Sequence, residues 1–243
     1  MSFLTMSASD SERSLPPCLA DCETAVHGLQ EVGRLFYARG WSVGTSSNFS
    51  CVCERTPLEL LITASGRDKG ALRPDDFVRV ARDGRPTSPG QPKSSAETLL
   101  HCLLAEDPRV GAVLHTHSVW GTLLSDLHGA EQGFAIEGYE MLKGLEGITT
   151  HEQRVWIDIF ENSQDIPALV DTVRQRWANR HADGDPRDSV VPPNTYGFLL
   201  RQHGLYTWGA DLFAARRHVE ILEFLFECVA RKRMLRHACG LEP

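Results

Sequence analysis

Several features are absent from this 243-residue chain, and each absence narrows its function. It has no run of 18 apolar residues, so the sequence predicts no membrane-spanning helix. Its N-terminus lacks the basic start and apolar stretch of a signal peptide, which favours a cytoplasmic protein. Lys and Arg number 25 against 32 Asp and Glu, and the net charge of −7 argues against a nucleic-acid or membrane-surface binder. Neither Gly-x-Gly-x-x-Gly nor Gly-x(4)-Gly-Lys-Ser/Thr occurs, so no nucleotide site is predicted.

Cysteine is present but lacks a metal-binding arrangement. The seven cysteines are an odd number, and a chain of this length buries enough surface to fold without disulfides. Cys51-x-Cys53 has no second pair of the kind that a zinc ribbon needs. We therefore expect reduced thiols and no cysteine-based metal site.

The composition is that of an ordinary folded domain, with 42% hydrophobic and 23% charged residues. Residues 1–20, rich in Ser, Pro and acidic side chains, predict a mobile tail. Residues 21–243 predict a single α/β domain, because no linker or internal repeat interrupts them. Apolar spacing predicts helices over 23–39, 94–106 and 211–236, and strands over 58–63, 76–82 and 110–117.

Three histidines lie where apolar runs end. His115 and His117 end the predicted strand 110–117, and the two-residue period of a strand places both side chains on one face. His203 follows another apolar run and precedes a glycine. Three imidazoles with an open fourth position are typical of catalytic zinc, which can polarise a carbonyl group. From spacing alone, a metal site and a packing role both remain open. The other seven histidines, His101 among them, lack such partners and are interpreted as structural or solvated.

Four motifs resemble the zinc-dependent class II aldolase/adducin family and occur in its order: Gly44-Thr-Ser-Ser-Asn48, Thr63-Ala-Ser-Gly66, His115-Thr-His117 and Arg201-Gln-His203-Gly-Leu-Tyr-Thr-Trp-Gly209. The resemblance implies an α/β three-layer sandwich with a central, mainly antiparallel sheet and helices on both faces. It also implies a homotetramer with one zinc ion per subunit, held by His115, His117 and His203. Three imidazoles suit zinc, and iron or manganese are the alternatives.

A further block separates two branches of that family. Gly138-Tyr-Glu-Met-Leu-Lys-Gly144 resembles dehydratase members, which remove water from a methylthio-substituted ketose 1-phosphate in methionine salvage. By this resemblance the metal binds the C2 carbonyl and C3 hydroxyl oxygens of the sugar. Glu140 is then the general acid/base that moves protons near C3 and C4. A carboxylate shielded beside a metal can have its pKa raised toward neutrality, which suits that role.

Glu97 has two interpretations. In sugar-phosphate aldolases of the family, a glutamate in the matching segment is a base or an additional zinc ligand. Ser94-x-x-Glu97 before an apolar helical run is also a capping box, and we favour the cap if Glu140 is the working carboxylate. Two alternative functions follow: aldol cleavage of another ketose phosphate with Glu97 as base, and a non-catalytic binding module of the adducin type. The adducin branch is expected to lack the three histidines that are present here.

The expected partner is a small sugar phosphate, rather than nucleic acid or membrane. Asn48, Ser65, Gly66 and Ser95 resemble the family's phosphate-contacting loops. Small residues let backbone N–H groups approach an anion closely, and a helix N-terminus near Ser95 adds a favourable dipole. Lys93 is a candidate for the accompanying positive charge.

Overall fold

The computed structural model describes residues 15–181 and 195–240, and within them the strands form one sheet. The strands are β1 Asn48–Arg55, β2 Leu58–Thr63, β3 Phe77–Ala81, β4 Ala112–Thr116, β5 Gly133–Ile136, β6 Val155–Phe160, β7 Gly197–Leu200 and β8 Gly204–Gly209. Their order across the sheet is β3-β2-β1-β4-β8-β7-β6-β5. Neighbouring strands pair antiparallel, except β6 and β7, which are parallel.

Five α-helices cover the two faces of the sheet. They are α1 Glu23–Ala38, α2 Thr98–Ala105, α3 Val119–Leu127, α4 Ile166–His181 and α5 Leu212–Ala238. Apolar side chains of α1, α3 and α5 pack on one face, and those of α2 and α4 pack on the other. This arrangement confirms the predicted three-layer α/β sandwich with a mainly antiparallel sheet. None of the described helices combines the length and apolar character needed to cross a lipid bilayer.

The central strand β4 alternates between these two layers. Leu114 packs with α1 and α5, whereas Val113 packs with α2 and α4. By the same alternation His115 faces the α2 layer and Thr116 faces α5. The neighbouring strands align with this end of β4, because Asn48 of β1 lies opposite His115 and Tyr206 of β8 lies on its other side.

Helix α1 follows the predicted periodicity closely. Its buried positions are spaced three and four residues apart along one stripe: Val26, Leu29, Val32, Gly33 and Phe36. Gly40 then adopts a φ of 76°, a left-handed conformation that glycine tolerates, and the chain leaves the helix. The helix predicted over 23–39 is therefore confirmed to within one residue.

The predicted N-terminal tail differs from the structure at its end. Residues 1–14 lie outside the described residues, so the mobility expected of them stays a prediction. Pro17–Cys22 forms a 3-10 helix, and the Leu19 side chain is fully buried against α1 and β1. The composition predicts a tail as far as residue 20, because one buried leucine does not produce the apolar periodicity by which a helix is recognised.

The start of α2 also differs from the prediction. A helix was expected from residue 94, but it begins at Thr98. Ser94 instead pairs with Ala64 in an isolated antiparallel bridge, which requires extended backbone. The other predicted elements agree with the structure within two residues at each end.

Candidate metal centre

The three histidines singled out by their spacing meet at one point. His115 Nε2 lies 2.8 Å from His117 Nε2 and 3.3 Å from His203 Nε2. The His117 and His203 Nε2 atoms are 3.1 Å apart. Nitrogens bound to one zinc ion at about 2.0–2.1 Å in a tetrahedral arrangement lie about 3.4 Å apart. The spacing of the three nitrogens is therefore close to that of a metal-ligand set.

Two contacts from β8 fix the His115 ring. Its Nδ1–H donates to the carbonyl oxygen of Leu205 at 2.9 Å. The Tyr206 ring stacks on it, with ring centroids 4.0 Å apart and planes inclined by 17°. Because a carbonyl oxygen can only accept a hydrogen bond, the proton is on Nδ1 and Nε2 presents its lone pair to the centre.

His203 is placed by the tight turn between β7 and β8. Gln202 adopts a left-handed φ of 55°, and the His203 N–H donates to the Leu200 carbonyl at 3.1 Å. Gly204 then lets β8 approach β4, since a Cβ atom there would collide with the carbonyl oxygen of Thr116. The glycine that follows His203 in the sequence is therefore required by the strand packing that brings the imidazoles together.

Burial keeps two of the imidazoles neutral. The pKa of His115 is well below its usual value, chiefly because the ring is fully buried, and the adjacent His117 and His203 lower it further. Burial, His203 and the charge of Lys69 lower the pKa of His117 to about 4. Neutral imidazole is the form that binds a metal ion.

Glu97 lies beside the histidines, so the capping-box prediction is wrong. It is the N-cap residue of α2, yet its side chain makes no capping hydrogen bond. Its Oε2 is 3.5 Å from His115 Nε2, and its Oε1 is 3.5 Å from His203 Nε2. A carboxylate at this position can be a fourth metal ligand or a base. Because α2 begins at Thr98, Glu97 precedes the helix instead of lying in its first turn, as a capping box with Ser94 would require, and its side chain lies in the site.

This donor set fits a divalent cation. His115 presents a lone pair on Nε2, and the Nε2 atoms of His117 and His203 face it at short distance. A cation between them would accept the lone pairs of all three Nε2 atoms, and the Glu97 carboxylate adds negative charge. Imidazole and carboxylate ligands together are typical of zinc and of other first-row transition metals.

Comparison with known proteins identifies the relatives of this site. Residues 27–230 match the family described as Class II Aldolase and Adducin N-terminal domain. The chain belongs to the class II aldolase and adducin family. It is 45% identical over 206 residues to the methylthioribulose-1-phosphate dehydratase of Marinobacter nauticus, a match that covers 84% of this chain and 92% of the relative. It is 44% identical over 220 residues to the protein of that name from Pseudomonas fluorescens, covering 90% and 98%.

Solved structures of the family share the fold. YgbL from Escherichia coli, described as a putative aldolase/epimerase/decarboxylase, superposes with a TM-score of 0.65 at 25% identity, covering 85% of this chain and 88% of that one. The l-fuculose-1-phosphate aldolase from Thermus thermophilus also gives 0.65, at 19% identity, covering 88% and 98%. At this lower identity the likeness establishes the class II aldolase fold alone.

In this family member, Asn48 links Glu97 to a buried hydrogen-bond chain. Asn48 Nδ2 donates to Glu97 Oε2 at 2.8 Å and to Ser95 Oγ at 3.0 Å. His101 donates from Nε2 to Asn48 Oδ1, and its Nδ1 accepts from Ser50 Oγ at 2.7 Å. Burial lowers the pKa of His101 to about 3, so the ring is neutral. The sequence indicates a structural or solvated role for His101, whereas in the structure this buried ring fixes the orientation of a residue in the site.

The residues predicted to contact phosphate lie on adjoining segments. The Ser65 N–H donates to the Lys93 carbonyl at 2.9 Å, which joins the end of β2 to the segment before α2. Asn48 reaches that same segment through Ser95. Gly66 has a φ of 69°, and open space surrounds the position where a Cβ atom would stand. The structure therefore brings Asn48, Ser65, Gly66 and Ser95 into one region next to Glu97.

Sequence reasoning missed a buried lysine in this region. The Lys69 side chain is 1% exposed, and its Nζ donates to the Arg67 carbonyl at 2.7 Å and the Thr45 carbonyl at 3.5 Å. Burial lowers its pKa to about 8. Thr45 belongs to the Gly44–Asn48 loop, and Arg67 follows Gly66, so this cation lies between two of the predicted phosphate loops. Lys93, which the sequence suggested for the charge, is exposed.

Glu140 lies in an exposed position in this chain. It begins the 3-10 helix Glu140–Gly144, and its side chain is 72% exposed. Among the described residues its carboxylate contacts Lys143 Nζ at 2.7 Å and His151 Nδ1 at 3.5 Å. The hydrogen bond and charge of Lys143 lower its pKa. The sequence predicts a shielded Glu140 carboxylate with a raised pKa. In the single chain this carboxylate is exposed and its pKa is lowered.

The segment of Glu140 nevertheless reaches the neighbourhood of the histidines. Met141 lines a cavity of about 400 Å³ together with Trp41 and Ser118. The Trp41 carbonyl accepts the backbone N–H of His117 at 2.8 Å, and Ser118 follows His117 in the chain. One cavity thus joins the Glu140 segment to two residues that adjoin His117, Trp41 by a backbone hydrogen bond and Ser118 in the chain.

A buried carboxyl group supports the histidine strand from its opposite face. Glu223 of α5 is 2% exposed, and its Oε1 accepts from Thr116 Oγ1 at 3.0 Å. Its Oε2 has no hydrogen-bond partner among the described residues. Burial raises the pKa of this carboxyl to about 7. The sequence signal was a lone acidic residue within the apolar run Ile221–Phe226, and sequence reasoning did not use it.

Proposed function

We propose that this protein is a methylthioribulose-1-phosphate dehydratase, a hydro-lyase of methionine salvage. It converts 5-methylthioribulose 1-phosphate into 2,3-diketo-5-methylthiopentyl 1-phosphate and water. The observation that supports this best is the cluster of His115, His117 and His203 beside Glu97, in a chain 44–46% identical to relatives of that name over most of its length.

We propose zinc as the metal, with one ion per subunit held by the three histidine Nε2 atoms. Zinc bound there would act as a Lewis acid on the sugar's C2 carbonyl and C3 hydroxyl oxygens and make the C3 proton more acidic. Glu97 either contributes a fourth ligand or holds a proton beside the two imidazoles that it faces. Asn48 orients this carboxylate through its 2.8 Å hydrogen bond.

The phosphate group of the substrate is proposed to lie between the loops of Asn48, Ser65, Gly66 and Ser95. Backbone N–H groups and small side chains in these loops can approach an anion closely. The buried ammonium of Lys69 supplies a positive charge between two of these loops. Its acceptors are two backbone carbonyls, so among the residues that the structure describes no carboxylate in direct contact competes with the phosphate.

Glu140 is proposed as the general acid/base that takes the C3 proton and returns a proton to the departing C4 hydroxyl. The support is the resemblance of its segment to dehydratases and the cavity that joins Met141 to the backbone next to His117. A carboxylate that is ionised at neutral pH can accept the C3 proton directly. Closure of the site around substrate would remove this side chain from water and raise its pKa.

The deciding experiment is turnover of methylthioribulose 1-phosphate with metal analysis of the same samples. We expect the wild type to contain zinc and release the diketone, and Glu140→Gln to keep the metal with turnover reduced at least 100-fold. His203→Ala should lose the metal, whereas the matched control His27→Ala, an exposed histidine on α1, should keep both properties. A Glu140→Gln variant with unchanged turnover would remove Glu140 from the mechanism.

Aldol cleavage is the second candidate function, and the position of Glu97 favours it. A carboxylate beside the histidines is where an aldolase of this family is expected to place its base. The products separate the two reactions, because an aldolase releases an aldehyde and a smaller phosphate, whereas a dehydratase releases water alone. Metal-containing protein that leaves the methylthio sugar untouched and cleaves another ketose phosphate would support the aldolase.

We also propose that the chain assembles as a homotetramer. Helix α5 exposes large apolar side chains, among them Phe213 at 63%, Phe224 at 46% and Leu235 at 65%. Such side chains clustered on one helix favour contact with another protein surface. Sedimentation should show one species of four 27.0 kDa chains, and a stable monomer at micromolar concentration would contradict the proposal.

A further inference from the structure

Two cysteines that are 31 residues apart in the chain meet in space. The Sγ atoms of Cys22 and Cys53 are 2.9 Å apart, and both residues are free thiols. Cys22 ends the 3-10 helix Pro17–Cys22 and is 4% exposed, whereas Cys53 lies on β1 and is partly exposed. Thiols this close need only a small movement to reach the bond length of a disulfide, about 2.05 Å.

A β-bulge accounts for the position of Cys53. The pairing register of β1 with β2 shifts between Val52 and Glu54, so Cys53 is the additional residue of the bulge. A bulge bends its strand and changes the direction of a side chain. Here it places the Cys53 thiol against Cys22, at the end of the 3-10 helix Pro17–Cys22.

The surroundings of the two thiols make them chemically different. Arg79 of β3 binds Asp21, the residue before Cys22, at 2.7 Å. The hydrogen bond from Cys22 and the charge of Arg79 lower the pKa of the Cys53 thiol. The pKa of Cys22 is raised by its contact with Cys53 and by burial. Cys53 is also the partly exposed thiol of the pair, so peroxide reaches it first, and the buried Cys22 is placed to resolve its oxidised form.

We propose that Cys22 and Cys53 are a redox modification site that forms a reversible disulfide on exposure to peroxide. The Cys53 thiolate attacks one oxygen of hydrogen peroxide, the O–O bond breaks, and Cys53 becomes a sulfenic acid while hydroxide leaves. The Cys22 sulfur then attacks the Cys53 sulfur, the S–S bond forms and the sulfenic oxygen leaves as water. In total the two thiols lose two electrons and two protons, and the peroxide is reduced to two water molecules. Exchange with a dithiol restores the reduced pair.

The disulfide would link the 3-10 helix Pro17–Cys22 to β1, the strand whose first residue is Asn48. A bond between positions 31 residues apart restricts the unfolded chain more than the folded one. We expect the melting temperature of the oxidised protein to exceed that of the reduced protein by about 5–10 °C. Formation of this disulfide does not depend on the chemistry proposed for the metal centre.

The test is peptide mass mapping of the full-length, zinc-loaded protein after a small excess of hydrogen peroxide and blocking with N-ethylmaleimide. We expect a Cys22–Cys53 cross-linked peptide, two hydrogens lighter than its reduced parts, that disappears with dithiothreitol. Cys22→Ser should lose both the cross-link and the rise in melting temperature, and Cys239→Ser, an exposed control, should keep them. Wild-type protein in which Cys22 and Cys53 remain fully alkylated, or in which Cys22 pairs with Cys18, would overturn the proposal whether or not the variants fold.

Discussion

The Glu97 carboxylate is the best-supported candidate for a group that works with the three histidines. It lies 3.5 Å from two imidazole Nε2 atoms, and Asn48 holds it with a hydrogen bond of 2.8 Å. Asn48 is itself fixed by His101. Side chains that orient the groups around a metal commonly change its affinity 10- to 100-fold when they are removed.

Glu97→Gln is therefore expected to weaken zinc binding about 10- to 100-fold, because the amide keeps the shape but not the charge. Its free energy of unfolding without metal should change by less than about 1 kcal/mol, since no helix cap is lost. Competition with a chelator of known zinc affinity measures the first quantity, and urea unfolding measures the second. Ser94→Ala is the control for a capping box and should leave both unchanged. A loss of 1 kcal/mol or more in the free energy of unfolding, with unaltered zinc affinity, would show that Glu97 acts as a helix cap.

Lys69→Met is expected to raise KM for the phosphorylated substrate about 10- to 100-fold with a smaller effect on kcat. A hydrogen bond to a charged group contributes roughly 1.5–3 kcal/mol, which corresponds to this range of affinities. Steady-state kinetics and competitive inhibition by inorganic phosphate should both show the loss. The exposed Lys93→Met is the matched control, and a larger effect there than at Lys69 would place the phosphate elsewhere.

The sequence was sufficient to single out the three clustered histidines as candidates, but it did not decide the position of the Glu97 carboxylate. His115 and His117 share a strand face because of the two-residue period, and the glycine after His203 marks the turn that positions it. Ser94-x-x-Glu97 fits both a capping box and a site glutamate, and the choice depends on where α2 begins. That start is decided by the bridge between Ser94 and Ala64, a long-range pairing that local sequence does not encode.

Strand β4, which holds His115 and ends just before His117, is supported on both faces. On one face, Glu97 precedes α2, and its carboxylate faces His115. On the other, Glu223 of α5 accepts a hydrogen bond from Thr116, the residue between His115 and His117. A protonated Glu223 needs little hydration, whereas in the ionised form one buried oxygen has no hydrogen-bond partner within the described part of the chain. The contact between α5 and β4 therefore depends on pH.

Because of Glu223, the free energy of unfolding should decrease as the pH rises from about 4.5 to about 7. The pKa of its carboxyl is raised to about 7 in the folded protein, so the folded state binds this proton more tightly than the unfolded chain does. The added stability is complete below the ordinary glutamate pKa and is lost as the pH rises through about 7, by about 3 kcal/mol at most. Urea unfolding of the wild type and Glu223→Gln across this range measures the difference. If the free energies of unfolding of the two proteins depend on pH in the same way, Glu223 is not the group responsible.

Across the whole molecule, local pattern predicted three of the five described α-helices and three of the eight described strands, and tertiary contacts decided the order of the strands. The apolar stripe of α1 and the strand Leu58–Thr63 are encoded by short-range periodicity, and both were predicted within one residue. The order β3-β2-β1-β4-β8-β7-β6-β5 places β4 beside β8, more than 80 residues later in the chain, and no local signal specifies that pairing. It is this pairing that brings His203 to His115 and His117.

A metal ion bound at that junction should stabilise the molecule as a whole, because its proposed ligands come from β4, from the residue after Thr116 and from the turn between β7 and β8. At free zinc about 1,000 times the dissociation constant, the stabilisation is about 4 kcal/mol. For a chain of this size that corresponds to a rise in melting temperature of roughly 8–16 °C over the chelated protein. Scanning calorimetry with and without zinc measures the rise. His203→Ala should abolish it and the exposed His27→Ala should preserve it. A rise that persists in His203→Ala would mean that the stabilising zinc ion binds outside the histidine cluster.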